Sequence, residues 1–247
     1  MDGRIAHSPK LAVALDFSTV DDAIGLVKKI GDLVNIFKIG SELLFDNYLY
    51  LLDYLREREY DVFLDFKFHD IERTVHATVA NAARLGVKYL TVHSDPISLK
   101  GAIEAASGSN TKVLAVTVLT GTSNESRILN NISLIEEVKI RAATSMRMGC
   151  DGVVCSGNEI ALVRREIDRC GCKGLVFVPG IRPLGTDWHD QKRVVSPSAA
   201  IAEGADVLVV GRPIRFAENA RLATIQILDE INTATNLRSI LPSSIVA

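Results

Sequence analysis

The chain has 247 residues, of which 47% are hydrophobic and 23% are charged, and its formal net charge is -2. This length suits one large domain, because α/β barrels commonly contain about 250 residues. The composition excludes a disordered or fibrous protein. The near-neutral charge gives no general attraction to nucleic acid, so any anion-binding site must be built from a few placed residues.

The cysteines and the apolar runs indicate the cellular location of the protein. The four cysteines lack the spacing of zinc or thioredoxin-type motifs, and we interpret them as reduced packing residues. Residues 1–10 contain no hydrophobic signal sequence. No apolar run approaches the ~20 residues of a membrane span. We therefore expect a cytoplasmic protein without membrane or nucleic-acid partners.

Short apolar runs alternate with longer amphipathic stretches along the chain, which is typical of parallel strands joined by crossover helices. Eight strands are predicted, at residues 11–15, 35–39, 62–66, 89–93, 113–119, 152–156, 175–179 and 207–211. No linker interrupts the series, which favours a single-domain α/β fold, a closed (β/α)8 TIM barrel. Residues 1–10 would form an N-terminal extension and residues 233–247 a C-terminal tail. An open doubly wound sheet is the alternative.

Helical spacing of apolar residues predicts the connecting helices. Ser18 and Asp21 stand three apart, as in a capping box, before the first helix, and Ser133 and Glu136 do the same before the sixth strand. The predicted buried faces are Ala23, Leu26, Val27 and Ile30 in the first helix, and Val75, Val79, Ala82 and Ala83 in the helix after the third strand.

Polar residues at the C-terminal ends of the strands are the candidate functional groups, because TIM-barrel active sites lie there. These residues are Asp16, Lys38, Asp65, Lys67, His93, Thr120, Gly211 and Arg212. A histidine that ends an apolar strand is more commonly a hydrogen-bonded core residue, so His93 is a weaker candidate. We assign no chemistry to Trp188 and His189.

The densest group of charges is the sequence DFKFHDI at residues 65–71. Alternate residues of a strand face the same way, so Asp65 and Lys67 are predicted to lie side by side at the barrel mouth. Asp70, at the turn into the next helix, is placed to add a second carboxylate to the same lysine. A generic pair of this kind is more often structural, but its position at a strand end favours catalysis. His69 is interpreted as a packing or orienting group.

Two loops near the C-terminus are candidates for phosphate binding. Residues 179–193 follow the seventh strand, and their Gly and Pro residues predict a long functional loop. After the eighth strand come Gly211 and Arg212, with Pro213 suited to a helix start, which brings backbone N–H groups and a guanidinium together. Loops after strands seven and eight commonly form a phosphate site in this fold. An exposed structural role is the alternative for Arg212.

The sequence DFKFHDIERT at residues 65–74 matches the D-x-K-x-H-D-I-x-x-T signature of the orotidine 5'-monophosphate decarboxylase family, which the chain resembles along nearly its whole length. Similar segments are ALD at 14–16, KIG at 38–40, VTVLT at 116–120, DGVVCS at 151–156, PGIR at 179–182 and GRP at 211–213. The resemblance implies a homodimeric enzyme without metal or cofactor that converts orotidine 5'-monophosphate (OMP) to UMP and CO2 in pyrimidine biosynthesis.

The resemblance also implies a role for each matching residue. Lys67 would protonate C6 of the pyrimidine, flanked by Asp65 and by Asp70 of the other subunit. The implied ribose contacts are Asp16, Lys38 and, across the dimer interface, Thr74. The implied base contacts are Thr120 at the pyrimidine edge, with Pro179 and Ile71 lining the pocket of the base and carboxylate. The implied phosphate contacts are Arg182, Gln191, Gly211 and Arg212.

The chain departs from the family pattern at two places, and two rival functions remain. Glu72 and Arg73 replace the usual Pro-Asn, which puts local interface packing in doubt, and residues 94–96 replace a small, glycine-containing stretch. One rival is a magnesium-dependent sugar-phosphate decarboxylase or aldolase of the same superfamily, although its second strand typically offers an acidic metal ligand where Lys38 stands. The other is a non-catalytic phosphate- or nucleotide-binding barrel.

Overall fold

The computed structural model describes residues 10–119, 132–183 and 195–240. Eight parallel strands close into a barrel in sequence order, with β1 also paired to β8. The strands are β1 (Lys10–Ala14), β2 (Ile36–Gly40), β3 (Asp61–Phe68), β4 (Tyr89–His93), β5 (Lys112–Val116), β6 (Gly152–Val154), β7 (Leu175–Val178) and β8 (Val207–Val210). The closed barrel confirms the predicted fold and excludes the open sheet.

Helices alternate with the strands. In the described ranges they are α1 (Val20–Ile30), α2 (Tyr48–Arg56), α3 (Glu72–Arg84), α4 (Pro96–Ala106), α5 (Leu134–Met148), α6 (Ile160–Arg169), α7 (Pro197–Glu203), α8 (Arg212–Arg215) and α9 (Ala220–Ile240). Short 3-10 helices occupy Ser41–Leu43 and Gly157–Glu159. No helix within the described ranges is long and apolar enough to cross a lipid bilayer.

The predicted helix caps are right in one case and wrong by one residue in the other. Ser133 caps α5 by accepting a hydrogen bond from the backbone N–H of Glu136, as expected. At α1 the cap is Thr19 instead of Ser18, and its hydroxyl accepts from the N–H of Asp22. Thr19 has the extended backbone of a cap residue, with φ of -130°, so the helix begins one residue later than the sequence suggested.

The C-terminal helix extends into the segment assigned to a tail. Helix α9 continues to Ile240, so residues 233–240 are helical. Ile231 and Ala234 are buried, and α9 packs against α7 and α1. Burial of this apolar face explains why the helix persists beyond residue 232.

Two apolar clusters separate the barrel interior from the layer between sheet and helices. The larger cluster contains the outward-facing strand residues together with the buried helix faces. The smaller cluster fills the interior and consists of Ala12, Ala14, Ile36, Phe63, Tyr89, Leu114, Phe177, Val207 and Val209. The rings of Phe63, Tyr89 and Phe177 meet with centroids 5.1 to 6.4 Å apart. This aromatic cluster fills the barrel below the C-terminal ends of the strands.

Candidate active site

The interior-facing rows of the strands continue beyond the apolar core into polar residues, because side chains alternate between the two faces of a strand. These continuations are Asp16 after β1, Lys38 in β2, Asp65 in β3, Thr91 and His93 in β4, Pro179 after β7 and Gly211 after β8. The interior-facing positions that carry apolar residues inside the barrel therefore carry mostly polar residues at its mouth.

A cavity of about 410 Å³ opens at this end of the barrel, within the size range of small-molecule sites. Its lining includes Asp16, Lys38, Gly40, Ser41, Glu42, Asp65, Lys67, Pro179, Gly180, Arg182, Gly211, Arg212 and Arg215. Eight of the thirteen site residues named from the sequence are among them. The structure thus brings together residues from five strands and the loops that follow them.

Four side chains of alternating charge form a connected set across β1, β2 and β3, which we name the charged row: Asp16, Lys38, Asp65 and Lys67. Lys38 Nζ lies 2.7 Å from Oδ1 of Asp16 and 3.5 Å from Oδ2 of Asp65. Lys67 Nζ donates to Oδ1 of Asp65 at 2.9 Å. The Lys67 side chain is 35% exposed and that of Lys38 only 8%, so Lys67 is the lysine with room to meet a ligand.

Gly40, at the end of β2, leaves room for the ion pair between Asp16 and Lys38. A Cβ atom at this position would lie 2.7 Å from Oδ1 of Asp16 and 2.9 Å from Nζ of Lys38. Both distances are shorter than carbon normally allows, so any larger residue would displace the ion pair. This close approach gives a physical reason for glycine in the KIG sequence.

Lys67 lies in an irregular part of β3. The pairing register with β4 shifts between Leu64 and Phe68, and Lys67 has φ of 51°, in the left-handed region that non-glycine residues rarely adopt. Such a conformation costs about 1–3 kcal/mol and is found mainly at functional sites. The predicted regular alternation is therefore interrupted at Lys67, although its side chain still meets that of Asp65.

Thr91 of β4 makes hydrogen bonds with both Asp65 and Lys67, and it was not identified from the sequence. Its buried hydroxyl donates to Oδ1 of Asp65 and accepts from the backbone N–H of Lys67, each at 2.9 Å. One side chain thus fixes the carboxylate and supports the unusual backbone of the lysine. The signal that could have found it is its position two residues from both Tyr89 and His93, on the interior face of β4.

The charged row keeps Asp65 ionised. Burial disfavours its carboxylate and by itself would raise the pKa. The ammonium groups of Lys38 and Lys67 act in the opposite direction, as do hydrogen bonds from Lys67 and Thr91, and together they hold the pKa of Asp65 below its ordinary value. A negative charge is therefore maintained beside the ammonium of Lys67.

Guanidinium groups gather on the β7–β8 side of the cavity. Arg182 is only 7% exposed, and its backbone N–H donates to the carbonyl of Val195 at 2.9 Å. Ile181 and Val195 form an isolated bridge, which joins the two ends of the loop that follows β7. Arg212 begins α8 directly after Gly211, with Pro213 in the first turn as expected.

Several predicted site residues lie elsewhere. Asp70, Ile71 and Thr74 are exposed at the start of α3 and do not line the cavity of their own chain as far as it is described. The Asp70 carboxylate accepts from the backbone N–H of Ile71 at 2.6 Å; among the described residues it makes no ion pair with Lys67. Thr120, Gln191, Trp188 and His189 lie outside the described residues.

His93 stacks on His69 beside the cavity, with ring centroids 4.8 Å apart. Its partial burial, followed by the nearby His69 and Arg141, lowers its pKa, so the neutral ring is favoured. His69 is mostly exposed, and its Nε2 lies 3.4 Å from Oδ2 of Asp95. Neither histidine belongs to the described lining of the cavity. A hydrogen-bonded core role for His93 and a packing or orienting role for His69 stay predictions.

The two departures from the family pattern have local structural roles. Asp95 caps α4 by accepting a hydrogen bond from the N–H of Ser98 at 2.9 Å. Glu72 forms an ion pair of 2.9 Å with Lys100 of α4. The first of these residues therefore stabilises the start of α4, and the second joins α3 to α4.

The fold and the site together define a TIM-barrel enzyme whose candidate active site carries alternating charges and an arginine-rich side. The chain belongs to the orotidine 5'-phosphate decarboxylase / HUMPS family, whose sequence model matches residues 9–227. It is 43% identical over 230 residues to the orotidine 5'-phosphate decarboxylase of Methylobacterium nodulans, covering 91% of this chain and 96% of that protein. The corresponding protein of Bradyrhizobium diazoefficiens is 40% identical, with 94% and 97% covered.

The chain is also similar to a solved structure of a member of this family. The crystal structure of orotidine 5'-phosphate decarboxylase from Lactobacillus acidophilus superimposes with a TM-score of 0.78 at 30% sequence identity. The match covers 91% of this chain and 99% of that one. The similarity therefore extends over the complete barrel.

Proposed function

We propose that this protein is an orotidine 5'-phosphate decarboxylase, which converts OMP to UMP and CO2 in pyrimidine biosynthesis. The observation that carries the proposal is the charged row at the C-terminal end of the barrel. It places the accessible ammonium of Lys67 at 2.9 Å from the carboxylate of Asp65, whose side chain is only 15% exposed. That arrangement suits a reaction in which a carboxylate departs and a carbanion appears in its place. A cytoplasmic location belongs to the same proposal.

The chemistry follows from the charges of this pair. When the bond between C6 and the carboxylate breaks, the electron pair stays on C6, and the Lys67 ammonium stabilises it and then transfers a proton to C6. The substrate carboxylate is repelled by Asp65 until it leaves as CO2. Two unit charges ~4 Å apart at an effective dielectric of ~20 interact by about 4 kcal/mol. Both the attraction and the repulsion are therefore large enough to affect the rate.

The remaining cavity residues bind the rest of the nucleotide. Asp16 and Lys38 hold the ribose, and Pro179 packs against the base. Arg182, Gly211 and Arg212 hold the phosphate on the arginine-rich side, where a guanidinium fork matches the phosphate oxygens. Contacts of this kind, remote from C6, raise the rate by closing the site around the substrate.

Arg212→Ala is expected to lower kcat/KM for OMP by about 10- to 100-fold, the value of a charge-assisted hydrogen bond. The kcat/KM for the unphosphorylated nucleoside orotidine should be unchanged, since the guanidinium acts only on the phosphate. Arg169→Ala, which removes an exposed arginine paired with Glu166, is the matched control and should match the wild type. Equal losses for OMP and orotidine would remove Arg212 from this role.

We also propose that the enzyme is a homodimer with shared active sites. Asp70 and Thr74 project from the start of α3 outside their own cavity, where a second copy can receive them. Exposed apolar side chains surround this position: Ile71 is 64% exposed and Ile97 of α4 is 60% exposed. A two-fold interface over this surface would bury both and place two sites at its edges.

The magnesium-dependent rival is disfavoured by the position of Lys38. Its Nζ lies between the carboxylates of Asp16 and Asp65, which is where a dication would need two acidic ligands. An ammonium there neutralises the pair and repels a metal ion. Within the described residues, no cluster of three His, Cys, Asp or Glu side chains is arranged to hold a metal.

The proposal is tested by measuring CO2 release from OMP with EDTA and, separately, with added Mg²⁺. We expect equal rates of CO2 release under both conditions, because Lys38 and Lys67 of the charged row supply the positive charge without a metal ion. A rate that falls with EDTA and returns with Mg²⁺ would support the sugar-phosphate type of enzyme. UMP binding without any CO2 release would instead identify a non-catalytic nucleotide-binding barrel.

A further inference from the structure

Arg215, the last residue of α8, is a cation of the cavity that no sequence motif singled out. Its side chain lines the cavity together with those of Arg182 and Arg212. Arg215 follows Arg212 by three residues in the same helical turn, and residues at this spacing are neighbours on a helix surface. Both guanidinium groups therefore face the same part of the cavity.

Aromatic rings fix the orientation of this guanidinium. Its Cζ lies 4.4 Å from the ring centroid of Phe17 and 5.3 Å from that of Phe216, within the range of cation–π contacts. Phe17 directly follows Asp16 of the charged row. Stacking covers the flat face of a guanidinium and leaves the N–H groups at its edge available to an acceptor.

Those N–H groups have no acceptor within the part of the chain that the structure describes. Nε of Arg215 is buried without a hydrogen-bond partner, and no carboxylate of the described residues pairs with the side chain. Several other arginines do have acidic partners: Arg56 with Asp53, Arg141 with Glu137, Arg164 with Asp206, Arg169 with Glu166 and Arg221 with Asp32. A partly buried guanidinium that is fixed by aromatic rings and has no acidic partner among the described residues is typical of a binding site for an anionic ligand.

The charge of the cavity leads to the same conclusion. Its described lining contains five cationic side chains and three acidic ones, a net charge of +2. A phosphate monoester carries close to two negative charges at neutral pH. Arg215 supplies one of the two net positive charges of the described lining.

We infer that Arg215 is a further substrate-binding residue, which donates hydrogen bonds to the phosphate group of the nucleotide and makes the site selective for the dianion. Phe17 is a positioning residue that holds its guanidinium in place. The inference rests on the proposed function, because it assumes a nucleotide ligand.

The test compares UMP and uridine binding to the intact protein by isothermal titration calorimetry. Arg215→Gln is expected to raise the Kd of UMP by about 10- to 100-fold and to leave that of uridine unchanged. Arg215→Lys keeps the charge without the planar fork and should recover part of the loss. Phe17→Leu should raise the Kd of UMP by about threefold through the lost stacking, again without an effect on uridine. Arg221→Gln, which removes an arginine outside the cavity, is the control and should bind both ligands as the wild type does.

A wild type that prefers UMP, with Arg215→Gln keeping that preference or losing both ligands equally, overturns the inference and leaves the proposed function intact. A wild type that binds UMP no more tightly than uridine overturns the proposed function and the inference with it. Should Arg215→Gln fail to fold, Arg215→Lys and Phe17→Leu decide the matter, since a wild-type UMP preference in both would exclude the role.

Discussion

Lys67→Ala is expected to lower kcat for OMP by about 10⁴-fold or more, because the variant loses both the proton donor and the charge that stabilises the carbanion. The barrel should still fold. Lys67 is partly exposed at the cavity, and without it Asp65 keeps its contact with Lys38 at 3.5 Å and its hydrogen bond from Thr91. The measurements are the initial rate of CO2 release and the circular dichroism spectrum.

Lys112→Ala is the matched control for this variant. Lys112 forms an ion pair with Asp151 of 2.9 Å, the same length as the Lys67–Asp65 pair, but it lies at the N-terminal end of β5. Its loss should leave kcat unchanged. Turnover near the wild-type rate by a folded Lys67→Ala protein would show that another group supplies the proton.

Mixing inactive Lys67→Ala with inactive Asp70→Ala protein is expected to restore activity. If Asp70 serves the partner's site, one site of a heterodimer collects both defects and the other has native Lys67 and native Asp70. Activity per heterodimer should therefore approach about half that of the wild-type dimer, because one of two equivalent sites is intact. The experiment requires conditions that allow subunits to exchange, followed by an assay of CO2 release.

Asp65→Ala mixed with Lys67→Ala provides the control for complementation. These two residues form an ion pair within one chain, so each site of that heterodimer carries one defect and no activity should return. Exchange itself can be verified with a mass-tagged subunit. If exchange is complete and Asp70→Ala still fails to complement, Asp70 acts in its own subunit and the shared site is wrong.

Much of this architecture was predictable because a barrel repeats one simple rule. Buried parallel strands have continuous apolar sequences, and all eight were found with small boundary errors; the largest is β5, which ends at Val116 instead of residue 119. The same rule predicts that polar residues at or just past the C-terminal ends of these strands meet at one end of the barrel. Asp16, Lys38 and Asp65 could therefore be grouped from the sequence alone.

What could not be predicted depends on contacts between distant parts of the chain. Thr91 matters because its hydroxyl reaches residues 24 and 26 positions away. Strand alternation places it on the interior face of β4 but does not reveal these two contacts. The left-handed backbone at Lys67 coincides with a register shift between β3 and β4, and the sequence of β3 reveals neither. Arg215 resembles any surface arginine until the tertiary structure places it at the cavity, with no acidic partner among the described residues.

The irregular segment of β3 leaves this barrel with one strand that is paired less completely than a regular strand would be. A regular β3 with an apolar residue at position 67 would pair fully with β4 and avoid a backbone conformation that costs about 1–3 kcal/mol. Laboratory evolution for heat resistance alone would consequently favour sequences that straighten the strand and discard the lysine. Engineering of this scaffold for thermostability has to screen for turnover in every round, because the strained backbone and the proposed proton donor are the same residue.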